Sequence, residues 1–138
     1  MAPNANAKHV LIVEDEEAYA KSTHDRMVNE GYKVTVCRDG EAGLQSALAD
    51  HPDIILLDLN LPKITGMNVI NRLRHDPWGE NVPVIIITNL NPSDELMTGV
   101  LVNQPSYYLL KDQTTLNDMA EKVKGILQQT PVEESSFS

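Results

Sequence analysis

Asp53-Ile54-Ile55-Leu56-Leu57-Asp58-Leu59-Asn60-Leu61-Pro62 is the stretch whose reading decides the fold. Residues 54–57 are apolar without interruption, two are β-branched, and Pro52 and Pro62 bracket the run. That pattern fits a short strand buried on both faces, as in a parallel sheet. A carboxylate, Asp58, stands where the strand ends. Ligands of open α/β sheets bind beyond the carboxyl ends of the strands, which makes an acid there a candidate for chemistry. The competing reading is a plain turn residue ahead of Pro62.

Outward from this strand, the same grammar repeats. Val10-Leu11-Ile12-Val13 is a second apolar run and ends in Glu14-Asp15-Glu16-Glu17; Glu16 and Glu17 read as no more than charges favoured at a helix start. A helix over about 17–30 follows with a thin apolar face of Ala20, Thr23 and Met27, and Gly31 is placed to stop it. Val34 to Cys37 forms the next strand, Asp39-Gly40 turns the chain, and Leu44, Ala47 and Leu48 mark a helix that His51-Pro52 ends. After the strand at Asp58, Gly66 opens a helix with Met67, Ile70, Leu73 and Arg74 at helical spacing, closed by Asp76-Pro77. Trp78 reads as a loop or edge packing residue. Pro83 to Thr88 is the most apolar strand. Asn91, Pro92 and Asp94 read as N-cap, first-turn proline and acid of a helix carrying Leu96, Met97, Val100 and Leu101. Tyr107 to Leu110 is the last strand, ending in Lys111. Thr115 and Asp118 resemble a capping box ahead of an amphipathic helix of Leu116, Met119, Val123, Ile126 and Leu127.

Five β–α units with right-handed crossovers wind into a doubly wound α/β parallel sheet with helices on both faces. At 138 residues the chain makes one domain, expected over 8–129, with flexible termini at 1–7 and 130–138. A net charge of −9 opposes direct contact with nucleic acid, so protein partners or a cation are expected. The single Cys37 excludes an internal disulfide, and the four histidines show no Cys/His metal spacing. Nothing is apolar enough to span a membrane or to direct export, so the expected location is cytoplasmic.

Four strands end in residues able to handle a phosphoryl group: Glu14 and Asp15, Asp58, Thr88, and Lys111. On one edge of one sheet they converge. Carboxylates about 4 Å apart repel by roughly 4 kcal/mol per pair at an effective dielectric of 20. One lysine does not neutralise three acids, and oxygen ligands suit Mg²⁺. Phosphoryl transfer asks for an in-line nucleophile, a metal and donors for the equatorial oxygens. Asp58 fits the nucleophile, Glu14, Asp15, Asp58 and the Asn60 backbone carbonyl the metal ligands, and Thr88 and Lys111 the oxygen-binding groups. Each of them is also an ordinary strand-end residue.

On these residues the sequence resembles a receiver domain of a two-component response regulator, CheY-like, over about 8–129. The likeness rests on residues 10–16, on 52–62 with Gly66, on Pro83 to Thr88, and on Tyr108 with Lys111. The resemblance implies a flavodoxin-like (βα)5 fold with strand order 2-1-3-4-5. It further implies a phosphoryl group accepted by Asp58 from a histidine kinase or phosphotransfer protein, and a switch formed by Thr88 and Tyr108, although Tyr108 also reads as a packing residue. Asn89 after the threonine, Asp112 after the lysine, and Gln104-Pro105-Ser106 before Tyr108 depart from the family's usual pattern. The expected function is a stand-alone phosphorylatable module, not an enzyme beyond self-phosphorylation and self-dephosphorylation. Its downstream effector is expected on the face of fourth helix, fifth strand and fifth helix, which is also open to oligomer contacts. The alternatives are a binding module of the same fold that signals without phosphorylation, and a haloacid-dehalogenase-type phosphatase. The second is disfavoured by Asn60 and by the nucleophile's place after the third strand.

Overall fold

The computed structural model describes residues 6–91 and 93–128, with residues 94–96 described by their backbone alone. The expected termini, the first-turn role of Pro92 and the side chains of Asp94 and Leu96 therefore lie largely or wholly outside the described residues. The elements run β1 (His9–Val13), α1 (Glu17–Asn29), β2 (Lys33–Cys37), α2 (Gly40–Asp50), β3 (Ile54–Leu57), α3 (Gly66–Arg74), β4 (Val84–Thr88), α4 (Asp94–Asn103), β5 (Tyr107–Leu110), a 3₁₀ turn (Lys111–Gln113) and α5 (Leu116–Leu127). The five strands are parallel in the order 2-1-3-4-5.

The apolar runs behave as doubly covered strands must. Every residue of β1, β3 and β4 is buried, whereas the edge strands β2 and β5 are only partly so. Because side chains alternate along a strand, each run feeds two cores. Leu11, Val13, Ile55, Leu57, Val84 and Ile86 pack with residues of α2, α3 and α4 on one face. Val10, Ile12, Ile54, Leu56, Ile85 and Ile87 pack with residues of α1 and α5 on the other.

The helix ends follow local chemistry. Gly31 takes φ +98° just past α1, the left-handed geometry that the stop requires. Asp39 does more than turn the chain: its carboxylate accepts the Ala42 N–H at 2.8 Å, capping α2. Thr115 and Asp118 form a complete capping box on α5. Trp78 stacks on His51, ring centroids 4.4 Å apart.

Three expectations are corrected. α4 begins at Asp94, so Ser93 rather than Asn91 holds the position before it, and the Ser93 carbonyl accepts the Met97 N–H at 2.9 Å. Leu101 is 70% exposed, and among the described side chains of that helix the buried ones are Val100 and Asn103. Leu48 on α2 is likewise exposed, since Gly40, Gly43, Leu44 and Ala47 face the core. In both helices the apolar residues wrap too far round the axis for all of them to reach the sheet.

Candidate functional site: an acidic rim closed by one lysine

Parallel strands of similar length end together, and their ends form the rim. The β1 and β3 ladder carries Asp58 N–H to the Val13 carbonyl at 3.1 Å, which places Asp58 beside Glu14. The chain then turns sharply. Asp58 Oδ1 accepts the Asn60 N–H at 3.1 Å, and the Gly66 N–H reaches the Leu59 carbonyl at 2.9 Å. A Cβ at position 66 would overlap the Asp58 carbonyl oxygen, so the close return of the loop requires glycine there.

Lys111 arrives from the end of β5 with its side chain 6% exposed. Its ammonium lies 3.0 Å from Asp58 Oδ2, to which it donates, and 2.6 Å from Glu14 Oε1. Glu14 Oε1 is buried, and its close contact with the ammonium is an ion pair. Glu14 Oε2 accepts the Glu16 N–H at 3.0 Å. Burial pushes the Glu14 carboxyl above its usual range, and Lys111 works against that shift. For Lys111 burial alone would depress the ammonium, but the bonds to Glu14 and Asp58 outweigh it and raise it above the ordinary lysine value. The Tyr19 ring sits 4.5 Å under the ammonium, and burial raises its hydroxyl to about 12.

Glu14, Asp15 and Asp58 each offer an oxygen within 4.8 Å of the others'. Glu14 and Asp58 are buried and Asp15 is exposed. An octahedral ion at about 2.1 Å sets its ligand oxygens about 3.0–4.2 Å apart. Oxygens held within 4.8 Å of one another reach that spacing with no more than small side-chain rotations. Three carboxylates with oxygens this close, two of the residues buried, are the donor set a hard divalent cation takes. The residues present therefore fit Mg²⁺.

Thr88 is 1% exposed at the end of β4, and its Oγ1 accepts the Leu90 N–H at 3.3 Å. Tyr108 is half-buried against the core and donates its hydroxyl to the Leu90 carbonyl at 2.7 Å. One residue, Leu90, thus joins the threonine to the tyrosine, through its N–H on one side and its carbonyl on the other.

Sequence reasoning missed three participants. Glu16 is more than a helix-start charge: its Oε1 lies 3.2 Å from Lys111 Nζ. Arg38 donates from Nε to the Glu14 carbonyl at 3.0 Å and from Nη2 to the Asp15 carbonyl at 2.7 Å. The signal for Arg38 was available, since it follows the end of β2, the one strand to which no rim residue had been assigned. Tyr19 carried none, because a ring two residues into a helix reads as packing.

Away from the rim, a groove of about 480 Å³ is lined by Met97, Tyr108, Leu110, Gln113, Asp118 and Lys122. Leu101 and Val102, on the same helix as Met97, are 70% and 73% exposed. Among the described residues no helix is long and apolar enough to cross a membrane.

Comparison with known proteins gives a consistent result. The chain is 29% identical over 123 residues to the response regulator ArlR of Staphylococcus haemolyticus, covering 89% of this chain and 54% of that protein. It is 35% identical over 103 residues to the transcriptional regulatory protein CseB of Streptomyces coelicolor, covering 75% of this chain and 43% of that one. It thus spans about half the length of these curated relatives. Among solved structures, a CheY-like response regulator receiver domain protein from Methanospirillum hungatei superposes with a TM-score of 0.81 at 25% identity, covering 88% of this chain and 94% of that one. A putative response regulator from Chloroflexus aurantiacus gives 0.79 at 25% identity, covering 90% of this chain and 100% of that one. The profile of the response regulator receiver domain matches residues 10–124, so the strands that carry the rim and the fold they build place this chain in that family: it is a receiver domain of two-component response regulators.

Proposed function

We propose that this receiver domain takes a phosphoryl group on Asp58, with Mg²⁺ held by Glu14, Asp15, Asp58 and the Asn60 backbone carbonyl, and that the modification resets a protein-binding surface. The observation that carries the reading is the meeting at one rim of three carboxylates and the Lys111 ammonium, brought from the ends of β1, β3 and β5.

In the transfer, an Asp58 oxygen forms the new O–P bond as the P–N bond to a donor imidazole breaks, and the imidazole nitrogen leaves with the electron pair and takes a proton. The nucleophile enters as the carboxylate, so no base is needed to remove a proton from it. Bound Mg²⁺ supplies charge neutralisation for the phosphoryl oxygens. Lys111, already 3.0 Å from Asp58, keeps its ammonium on that side of the carboxylate, where a phosphoryl oxygen arrives. The Thr88 hydroxyl, on the next strand, offers a further donor.

Phosphorylation adds about 1.5–2 negative charges at pH 7. When the Thr88 side chain swings toward that charge, its bond with the Leu90 N–H is given up, and Leu90, whose carbonyl holds Tyr108, is freed to shift. The groove beside Tyr108 and the exposed Leu101 and Val102 form the output face, composed of α4, β5 and α5. The donor is a histidine kinase or phosphotransfer protein, the reader a protein effector or a second copy, and the setting cytoplasmic. Self-phosphorylation by small phosphodonors and self-dephosphorylation are the only turnover this reading contains.

Acetyl phosphate with Mg²⁺ tests it: intact mass rises by one phosphoryl group in the parent and not in Asp58→Asn. Equal mass gain by both proteins would refute the assignment.

A further inference from the structure

We infer that Arg38 is a positioning residue for the divalent cation: it locks the backbone on either side of Asp15 and so presets that carboxylate for the metal. The inference rests on the metal reading above. The ladder between β1 and β2 ends with the Glu14 N–H on the Cys37 carbonyl at 2.9 Å. Beyond it the strands diverge, and the carbonyls of Glu14 and Asp15 have no backbone partner across the gap among the described residues. The Arg38 side chain continues the pairing where the backbone stops, with Nε on one carbonyl at 3.0 Å and Nη2 on the next at 2.7 Å. A guanidinium presents its donors in a fixed fork, so two consecutive carbonyls held by one side chain have little freedom to rotate.

Asp15 needs this. Its carboxylate is exposed and makes no hydrogen bond or ion pair of its own among the described residues, unlike Glu14 and Asp58, which Lys111 and backbone amides hold. Backbone geometry is therefore what aims it at the other two acids, within 4.8 Å. Groups that orient the side chains ligating a metal affect its affinity about 10–100-fold when removed. Here the fork is exposed and acts through one ligand, so an effect below that range, about 3–10-fold, applies.

The positive charge of Arg38 acts in the opposite sense, since a cation near the site repels another. The two effects separate by substitution. Arg38→Lys keeps the charge and loses the fork; Arg38→Ala loses both. If positioning governs, both variants bind Mg²⁺ about 3–10-fold more weakly than the parent by calorimetric titration, and the Asp15 amide resonance broadens in the metal-free protein. Unchanged or tighter binding in Arg38→Ala, with the parent binding normally, overturns the role of Arg38. Absence of Mg²⁺ binding by the parent would instead sink the metal reading itself. Thermal unfolding of both variants without metal, expected close to the parent, separates positioning from loss of fold; a collapse of the fold in both would make Arg38 structural and also overturn the inference.

Discussion

Replacing Lys111 by methionine isolates what the lysine does for the rim, because methionine keeps the unbranched stem, one atom shorter, and loses the charge. At an effective dielectric of 20, unit charges 2.6–3.0 Å apart attract by about 6 kcal/mol, and Lys111 makes such contacts with both Glu14 and Asp58. Without it, the two carboxylates stay buried and face each other across no more than 4.8 Å, a repulsion of at least about 3.5 kcal/mol on the same scale. The carboxylates respond by taking up protons or water, so the measured loss is smaller than these sums. Breaking a buried pair by deleting one partner costs about 3–5 kcal/mol. We expect about 3 kcal/mol for Lys111→Met at pH 7. Urea unfolding followed by the fluorescence of Trp78, the only tryptophan, reads this as a midpoint lowered by about 1.5–2 M for an m-value near 1.5–2 kcal/mol/M. Mg²⁺ then takes over part of the lysine's role: at ten times its dissociation constant it returns about 1.4 kcal/mol to the variant. A loss below about 1 kcal/mol, or a variant that Mg²⁺ stabilises no more than it does the parent, would refute the electrostatic balance described here.

Three further outcomes are expected. Thr23 is 1% exposed and its hydroxyl has no hydrogen-bond partner among the described residues, so Thr23→Val should stabilise by about 1 kcal/mol in the same urea assay. Gln104 takes φ +48° just past α4, a position that favours glycine; Gln104→Gly should raise stability by about 0.5–1 kcal/mol, and a decrease would show that the side chain contributes more than the strain costs. Burial, and after it the nearby Lys33 charge, hold the His9 imidazole below 6.5. Its folded value being the lower one, the stability it contributes is complete above pH 6.5 and falls away as pH drops through the folded value. An NMR titration placing His9 at or above 6.5 would contradict this.

Much of the fold was legible because β1, β3 and β4 are apolar on both faces, a pattern that a parallel sheet demands and little else explains. The same rule located Asp58, Thr88 and Lys111, since a strand's end is also the edge where parallel neighbours end. Helix phase was less legible: Leu48 and Leu101 match helical spacing, yet short helices with apolar residues around much of the axis leave the buried stripe undecided until the sheet is present. Thr23, read as part of a thin apolar face, is indeed buried, but nothing local signals that its hydroxyl goes unpaired. Glu16 escaped because its role depends on how far Lys111 reaches back across the rim from β5, a contact spanning 95 residues in sequence. Arg38 is marked only by its place after β2, since its partners are backbone carbonyls that no side-chain pattern announces.

The central claim is that the carboxylate at the end of β3 becomes the phosphorylated group, with a divalent ion held beside it. Tandem mass spectrometry of the protein treated with acetyl phosphate and Mg²⁺ tests this most directly. The expected result is a single phosphoryl group on the peptide containing Asp58, at that residue, and no label when the metal is chelated before the donor is added. A label on another residue, or one at Asp58 indifferent to chelation, would contradict it.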